Sequence, residues 1–252
     1  TEDYGQSWIA LHNDLPSGSI NVIVEHPDNP DVLFIGTENS VFVSVNGGSG
    51  WTRLKSNLPT TLYDDMVIHP REKDLILGTH GRSFWVLDDT TPFVEWNQSQ
   101  NNNLFLFSIR PATLFYYWKD TSYRGQEEWT GPNPDFGAII SFIVNSNECQ
   151  AVIKIKRRNK TIRSYQLSVS PGVINRFVWD LKHPPPPFIQ NNEETPGLIK
   201  PDKSELLPIP PHSLDPQGPH VSPGVYTVTV SVGNKSHSQK VRVNGDPKLN
   251  LR

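Results

Sequence analysis

Five anchors recur at a spacing of 43 residues: Thr1 and Ser44, Trp8 and Trp51, Leu15-Pro16 and Leu58-Pro59, His26-Pro27 and His69-Pro70, Asp31 and Asp74. Behind them "DVLFIGTENSVFVSVNGG" runs beside "DLILGTHGRSFWVLDD", with Gly36-Thr37 matching Gly78-Thr79 at 42 and Val41-Phe42 matching Phe84-Trp85 at 43, so single-residue insertions fall in loops. A fixed period of this length is the signature of a repetitive architecture and restricts the first hundred residues more than any composition does. Within one period the apolar residues come in short β-branched and aromatic runs broken by Gly, Pro, Asn and Asp, the pattern of strands rather than helices.

Four strands are expected per period: Asn21–Glu25, Val32–Gly36, Val41–Val45 and Thr52–Lys55, then Asp65–His69, Asp74–Gly78, Ser83–Leu87 and Phe93–Trp96. A unit of about 43 residues with four strands has the length of one β-propeller blade. The chain then holds about two blades and the tail of a third in Thr1–Leu11, fewer than the roughly four to eight that close a ring. The expected partners are further blades, in the same chain or in another subunit, and the chain is expected to open inside a propeller.

"TEDYGQSW" and "SVNGGSGW" share the pattern Ser/Thr-x-Asp/Asn-x-Gly-x-x-Trp. Each residue has a folding role. Asp3 or Asn46 accepts backbone N–H groups of its own turn, aided by Thr1 or Ser44; Gly5 or Gly48 supplies a positive φ; Trp8 or Trp51 fills the seam between blades. An acid or cation-ligand role for Asp3 is disfavoured because its counterpart, Asn46, is an amide. These octapeptides resemble Asp-boxes, or BNR repeats, of sialidases, sortilin-type receptors and xyloglucanase-type hydrolases. With "GTHGRSFWVLDD" they make residues 1–91 similar to the end of the propeller in sortilin-like glycosyl hydrolases. That resemblance implies a structural role for the boxes, on the face opposite the binding site.

On the ligand-facing rim the register brings together "TTLYDD" and "THGRS". Asp64, Asp65, His80 and Arg82 stand where the preceding repeat has Asn21, Val22, Glu38 and Ser40, and such departures are where function is grafted onto a repetitive scaffold. These four are the candidate ligand-binding residues; Asp65, His80 and Arg82 are the catalytic candidates. Glycoside hydrolysis needs two carboxylates roughly 5–9.5 Å apart across one bond. Adjacent Asp64 and Asp65 on a regular strand point to opposite faces, so at most one belongs to such a pair. The bland alternative is a tight His80-Gly81-Arg82 turn with Arg82 locked onto Asp88 or Asp89. No zinc spacing and no GxSxG elbow occurs, so no metal or cofactor is expected.

Residues 1–100 are thus read as propeller blades and 101–136 as an aromatic-rich bridge. Residues 137–247 form a small sandwich from "GAIISFIV", "AVIKIKRR", "TIRSYQLS", "VINRFVWDL", "GVYTVTVSV" and "SQKVRVNG", interrupted by a Pro-rich insertion at 183–222, with a tail at 248–252. Alternation at Ala151–Lys156 and Tyr226–Val232 is that of half-buried antiparallel strands. "GPNPDFGA", "NRFVWDL" and "SPGVYTVTV" resemble the FlgD-type immunoglobulin-like domain that follows the propeller in the sortilin-like proteins.

A net charge of −3 and the absence of a dominant basic tract give no reason to expect nucleic acid as a partner. The single cysteine, Cys149, excludes an intrachain disulfide, and no run reaches the ~18 apolar residues of a membrane helix. Sequons at Asn97, Asn159 and Asn234 favour an extracellular or cell-envelope location. The preferred expectation is an exported propeller protein with a binding or structural role towards a glycan or protein, without a complete active site in this chain. One rival is part of a glycoside hydrolase whose cleft further blades complete; another is a subunit of an assembly joined through exposed strand edges.

Overall fold

The computed structural model describes residues 1, 3–12, 14–115, 136–184 and 218–248. Most of the expected bridge, most of the Pro-rich insertion and nearly all of the tail lie outside the described residues. The described chain is all-β apart from two single-turn helices, and it divides into two compact units, Thr1–Phe107 and Ser108–Arg252. No helix among the described residues is long and apolar enough to cross a membrane.

The first unit contains two antiparallel meanders. One is β1 (Ile20–His26), β2 (Asn29–Thr37), β3 (Val41–Ser44) and β4 (Thr52–Leu54); the other is β5 (Tyr63–Ile68), β6 (Leu75–Thr79) and β7 (Phe84–Leu87). The expected eighth strand at Phe93–Trp96 is instead helical, in α1 (Thr91–Val94) and α2 (Trp96–Ser99). Pro92 in the first turn of α1 explains the difference, since its missing N–H is an orphan at a helix start but would leave a gap in a ladder. Strand β8 (Leu104–Leu106) ends the unit.

The repeat extends to a defect. In β1 the register slips between Ile20 and Val22, making Asn21 the extra residue; in β5 it slips between Tyr63 and Asp65, making Asp64 the extra one, 43 positions later. A bulge in the first strand is therefore part of the unit. The side-chain amide of Asn21 donates to the Tyr63 carbonyl at 3.4 Å, tying the two first strands together. A Cβ on Gly36 would lie 2.7 Å from a Val22 methyl and 3.0 Å from Tyr63 Cβ, so only glycine permits this approach.

The pleat gives the first meander two faces. Val22, Val24, Phe34, Val41 and Val43 line one, here the Phe34 face; Ile23, Leu33, Ile35 and Phe42 line the other, the Ile35 face. The Phe34 face packs against Tyr63, Met66, Ile68, Leu75 and Leu77 of the second meander, with Phe93 edge-on to Phe34 at 5.6 Å. The Ile35 face is covered by Trp51 and Leu15. By register, Met66, Leu77 and Trp85 correspond to Ile23, Ile35 and Phe42, and Val67, Ile76 and Phe84 to Val24, Phe34 and Val41. The two meanders thus stack back to front, and the second presents its own Phe34-like face outward: Val67, Phe84 and Val86 are exposed by 53%, 76% and 55%.

The second unit places β10 (Ala138–Val144) beside β13 (Ile174–Trp179). Its larger sheet is ordered β12 (Lys160–Ser168), β11 (Gln150–Arg157), β14 (Gly224–Val232), β15 (Lys235–Asn244) and β9 (Ala112–Thr113), the last parallel to β15. Alternate residues Ile153, Ile155, Tyr226, Val228, Val230, Val241 and Val243 are buried, as are Ile140, Phe142, Val144 and Trp179. Trp179 and Tyr226 meet edge to face at 5.2 Å and join the two layers. A Cβ on Gly137 would fall 2.1 Å from the Trp179 carbonyl oxygen, at a φ of +147°.

Candidate functional site

Both octapeptides close the same hydrogen-bonded ring. The Thr1 hydroxyl donates to Asp3 Oδ1 at 2.8 Å and accepts the Gly5 amide at 2.7 Å, while the Ser7 amide donates to Asp3 Oδ1 at 2.9 Å. In the second copy the Ser44 hydroxyl donates to Asn46 Oδ1, accepts the Gly48 amide, and the Gly50 amide donates to Asn46 Oδ1, each at 2.9 Å. Gly5 and Gly48 have φ of +88° and +83°. The ring needs an oxygen acceptor and no proton chemistry, which is why carboxylate and amide serve alike. Hydrogen bonds from the Ser7 hydroxyl and amide, then from the Thr1 hydroxyl, hold the Asp3 carboxyl at about 2, so it is not an acid at neutral pH.

The two tryptophans differ. Trp51 is buried, and its indole N–H donates to the Leu11 carbonyl at 2.6 Å. Trp8 is 79% exposed, against the expectation of a seam residue. Trp51 rests on Ile35 and Phe42 of the strands before it, and among the described residues no strand precedes Trp8.

The four candidate ligand residues gather at one rim of the second meander. The segment entering β5 and the β6–β7 turn are tied together: the His80 amide donates to the Leu62 carbonyl at 2.9 Å, and the Thr61 hydroxyl donates to the His80 carbonyl at 3.0 Å. His80 Nδ1 stands 3.5 Å from Asp64 Oδ2, with both side chains largely exposed. Such a surface pair contributes at most about 1 kcal/mol. Asp65 Oδ1 accepts the Met66 amide at 2.8 Å, and the Arg82 carbonyl accepts the Trp85 indole N–H at 3.0 Å. The bulge breaks the alternation expected of Asp64 and Asp65: Tyr63 and Met66 on either side are buried and both carboxylates are exposed. Asp89, one expected partner of Arg82, instead accepts the Thr91 amide at 3.2 Å and the Thr91 hydroxyl.

The corresponding rim of the first meander is built differently. There a cavity of about 320 Å³ opens between residues 15–20, the β2–β3 turn at Thr37–Asn39, and His12. Glu38 occupies the position of His80, and Gly18 and Ser19 those of Thr61 and Leu62. None of these was singled out in the sequence as a ligand residue. The available signal was the contrast between Ser17-Gly18-Ser19 and Thr60-Thr61-Leu62 at a spacing of 43. Among the described residues no group of three His, Cys, Asp or Glu side chains is placed to hold a metal ion. Asn97, Asn159 and Asn234 are all exposed; the Asn97 amide also donates to the Val45 carbonyl at 3.3 Å.

Together these features define an all-β protein with two repeated antiparallel meanders and a second all-β unit. No family model matches the chain. No curated protein matches it either. Among solved structures it is similar to the extracellular domain of a protein described as a one component system from B. thetaiotaomicron, at 10% identity and a TM-score of 0.23, covering 90% of this chain and 25% of that one. A second structure from the same organism, an extracellular domain described as belonging to a hybrid two component system, gives 12% identity and a TM-score of 0.24, covering 93% of this chain and 26% of that one. The chain spans about a quarter of the length of these structures, and likeness at this level carries no statement about its activity.

Proposed function

We propose that the chain is part of an exported Asp-box propeller protein of the sortilin-like type, with a binding or structural role towards a glycan or protein ligand. One observation carries this reading: the back-to-front stacking of the two meanders. The interface between them joins a Phe34-type face to an Ile35-type face, and an interface between unlike faces propagates into a ring or an open stack. The second meander offers another Phe34-type face for the same packing, so further sheets of the same kind are the partners its chemistry fits. The adjacent, bulged first strands and the repeated hydrogen-bonded octapeptide support blades of an Asp-box propeller. In the second unit, the Trp179–Tyr226 contact between layers and the Tyr226 hydroxyl donating to the Ser222 carbonyl at 2.6 Å support an immunoglobulin-like sandwich. The exposed sequons support an extracellular location.

The rim chemistry supports a binding role over hydrolysis: among the described residues Asp64 and His80 form an exposed pair open to water, unlike the desolvated carboxylate a glycosidase acid requires. Incubation of the chain with an array of labelled glycans, read both for retention and for chain shortening, tests this. Retention without shortening is expected. Shortening that disappears in Asp65→Ala would overturn the reading in favour of a hydrolase.

A further inference from the structure

We infer that the cavity at the rim of the first meander is a binding site for one uncharged sugar ring, with Glu38, His12 and Asn39 as its polar contacts. This deepens the proposed ligand role and rests on the reading of that rim as ligand-facing. The two copies of the repeat supply the argument. In the second, the loop entering β5 is zipped onto the β6–β7 turn by the His80 amide and the Thr61 hydroxyl. In the first, Gly18 has no hydroxyl to offer where Thr61 stands, and a Cβ built on it would meet nothing within 4 Å. The corner that is closed in one copy is open in the other, with a volume of about 320 Å³.

What lines this opening selects its ligand. The Thr37 hydroxyl is engaged in its own turn, accepting the Ser40 amide at 3.1 Å and donating to the Ser40 carbonyl at 3.0 Å. That fixes the turn and leaves Glu38 and Asn39 on its crest. Among the described residues, the side chains of His12, Ser17, Ser19 and Glu38 make no hydrogen bonds, so a carboxylate, an imidazole and two hydroxyls are available to a guest. No Lys or Arg lines the cavity, and Glu38 repels an anion, which excludes phosphates and acidic sugars. Leu15, Pro16 and Ile20 add apolar wall for the C–H face of a ring. The volume lies at the low end of small-molecule sites, roughly 300–1,000 Å³, which suits a single ring. A hydroxylated ring fits this mixture because its hydroxyls donate to Glu38 and accept from Asn39 while its C–H face lies on Pro16.

The test is a backbone amide NMR titration of the 252-residue chain with the methyl glycosides of glucose, galactose, mannose and N-acetylglucosamine, with methylammonium and inorganic phosphate as charged probes. At least one glycoside is expected to shift the amides of residues 17–20 and 37–40 saturably, with a dissociation constant on the order of millimolar. Glu38→Ala is expected to weaken it roughly tenfold or more, and Ser19→Trp, which fills the opening, to abolish it while leaving the rest of the spectrum in place. Saturable shifts with methylammonium alone, or with phosphate alone, overturn the assignment of ligand class. Glycoside shifts confined to Asp64, His80 and Arg82 overturn this site while preserving a ligand-binding rim; no glycoside shift anywhere overturns the sugar assignment at both rims.

Discussion

Phe34→Ala paired with Phe84→Ser tests the back-to-front stacking most directly. Phe34 is fully buried between the two meanders and touches Phe93 edge-on at 5.6 Å. Truncating such a ring removes its transfer free energy and leaves a cavity that rigid strands on both sides cannot close, a loss of about 3–5 kcal/mol. For a domain whose total stability is about 5–15 kcal/mol, this is about a fifth or more of what holds it together. With a urea dependence of about 2 kcal/mol per molar, the midpoint falls by about 1.5–2.5 M. Phe84 is 76% exposed on the outer face, and its replacement by Ser is expected to change stability by no more than about 0.5 kcal/mol in this chain. Urea titrations read by peptide-resolved hydrogen exchange over residues 1–107 separate this unit from the second. A Phe34→Ala loss below about 1 kcal/mol, or a Phe84→Ser loss equal to it, would refute the assignment of buried and open faces.

Two further outcomes follow from the repeat and from burial. Replacing Asn46 by Ala deprives the Gly50 amide and Ser44 hydroxyl of their acceptor and is expected to cost about 1–2 kcal/mol in thermal unfolding, whereas Asn46→Asp, which restores the chemistry of Asp3, is expected to be within about 0.5 kcal/mol of the parent. Equal losses in both variants would sink the account of the ring as an oxygen-acceptor motif. His26 is buried, accepts the Asp28 amide at Nδ1 (3.1 Å) and lies 3.0 Å from the Thr90 hydroxyl through Nε2. That hydroxyl donates to the Lys73 carbonyl at 2.6 Å, so Nε2 carries the proton and the ring is neutral. Burial lowers its pKa, with the Lys73 charge acting in the same sense and Asp28 opposing them. The unfolded chain therefore takes up a proton first. Stability of the first unit is expected to fall as pH drops below about 6.5, with a slope of at most about 1.4 kcal/mol per pH unit from this group. His26→Gln should flatten that slope in pH-dependent urea titrations, and an unchanged slope would remove His26 as its source.

The hydrogen-bonded ring of each octapeptide was legible because it is local: each partner lies within four residues of the next, so chemistry and spacing along the chain are enough. The strands of both meanders were legible for a related reason, since their period of alternation is set by the backbone and repeats in two copies. The strand expected at Phe93–Trp96 failed where periodicity was followed past Pro92, whose missing amide favours a helix start over a ladder position. The rim was half legible. Asp64, His80 and Arg82 stood out as departures from the repeat, but the bulge that exposes both Asp64 and Asp65 is a register slip between paired strands, and a single strand's sequence does not carry it.

What the sequence determined by itself was the all-β composition, the unit of 43 residues and the turn chemistry of its octapeptides, because each depends on backbone propensity and on neighbours close in the chain. What only the tertiary structure decided was which face of each meander is covered, why Trp51 is buried while its counterpart Trp8 is exposed, and why one corner is closed and its counterpart open. These depend on contacts between residues well separated along the chain: the approach of Gly36 to Tyr63 is set by how one sheet leans on the next, and that of Thr61 to His80 by how the segment entering β5 lies against the β6–β7 turn.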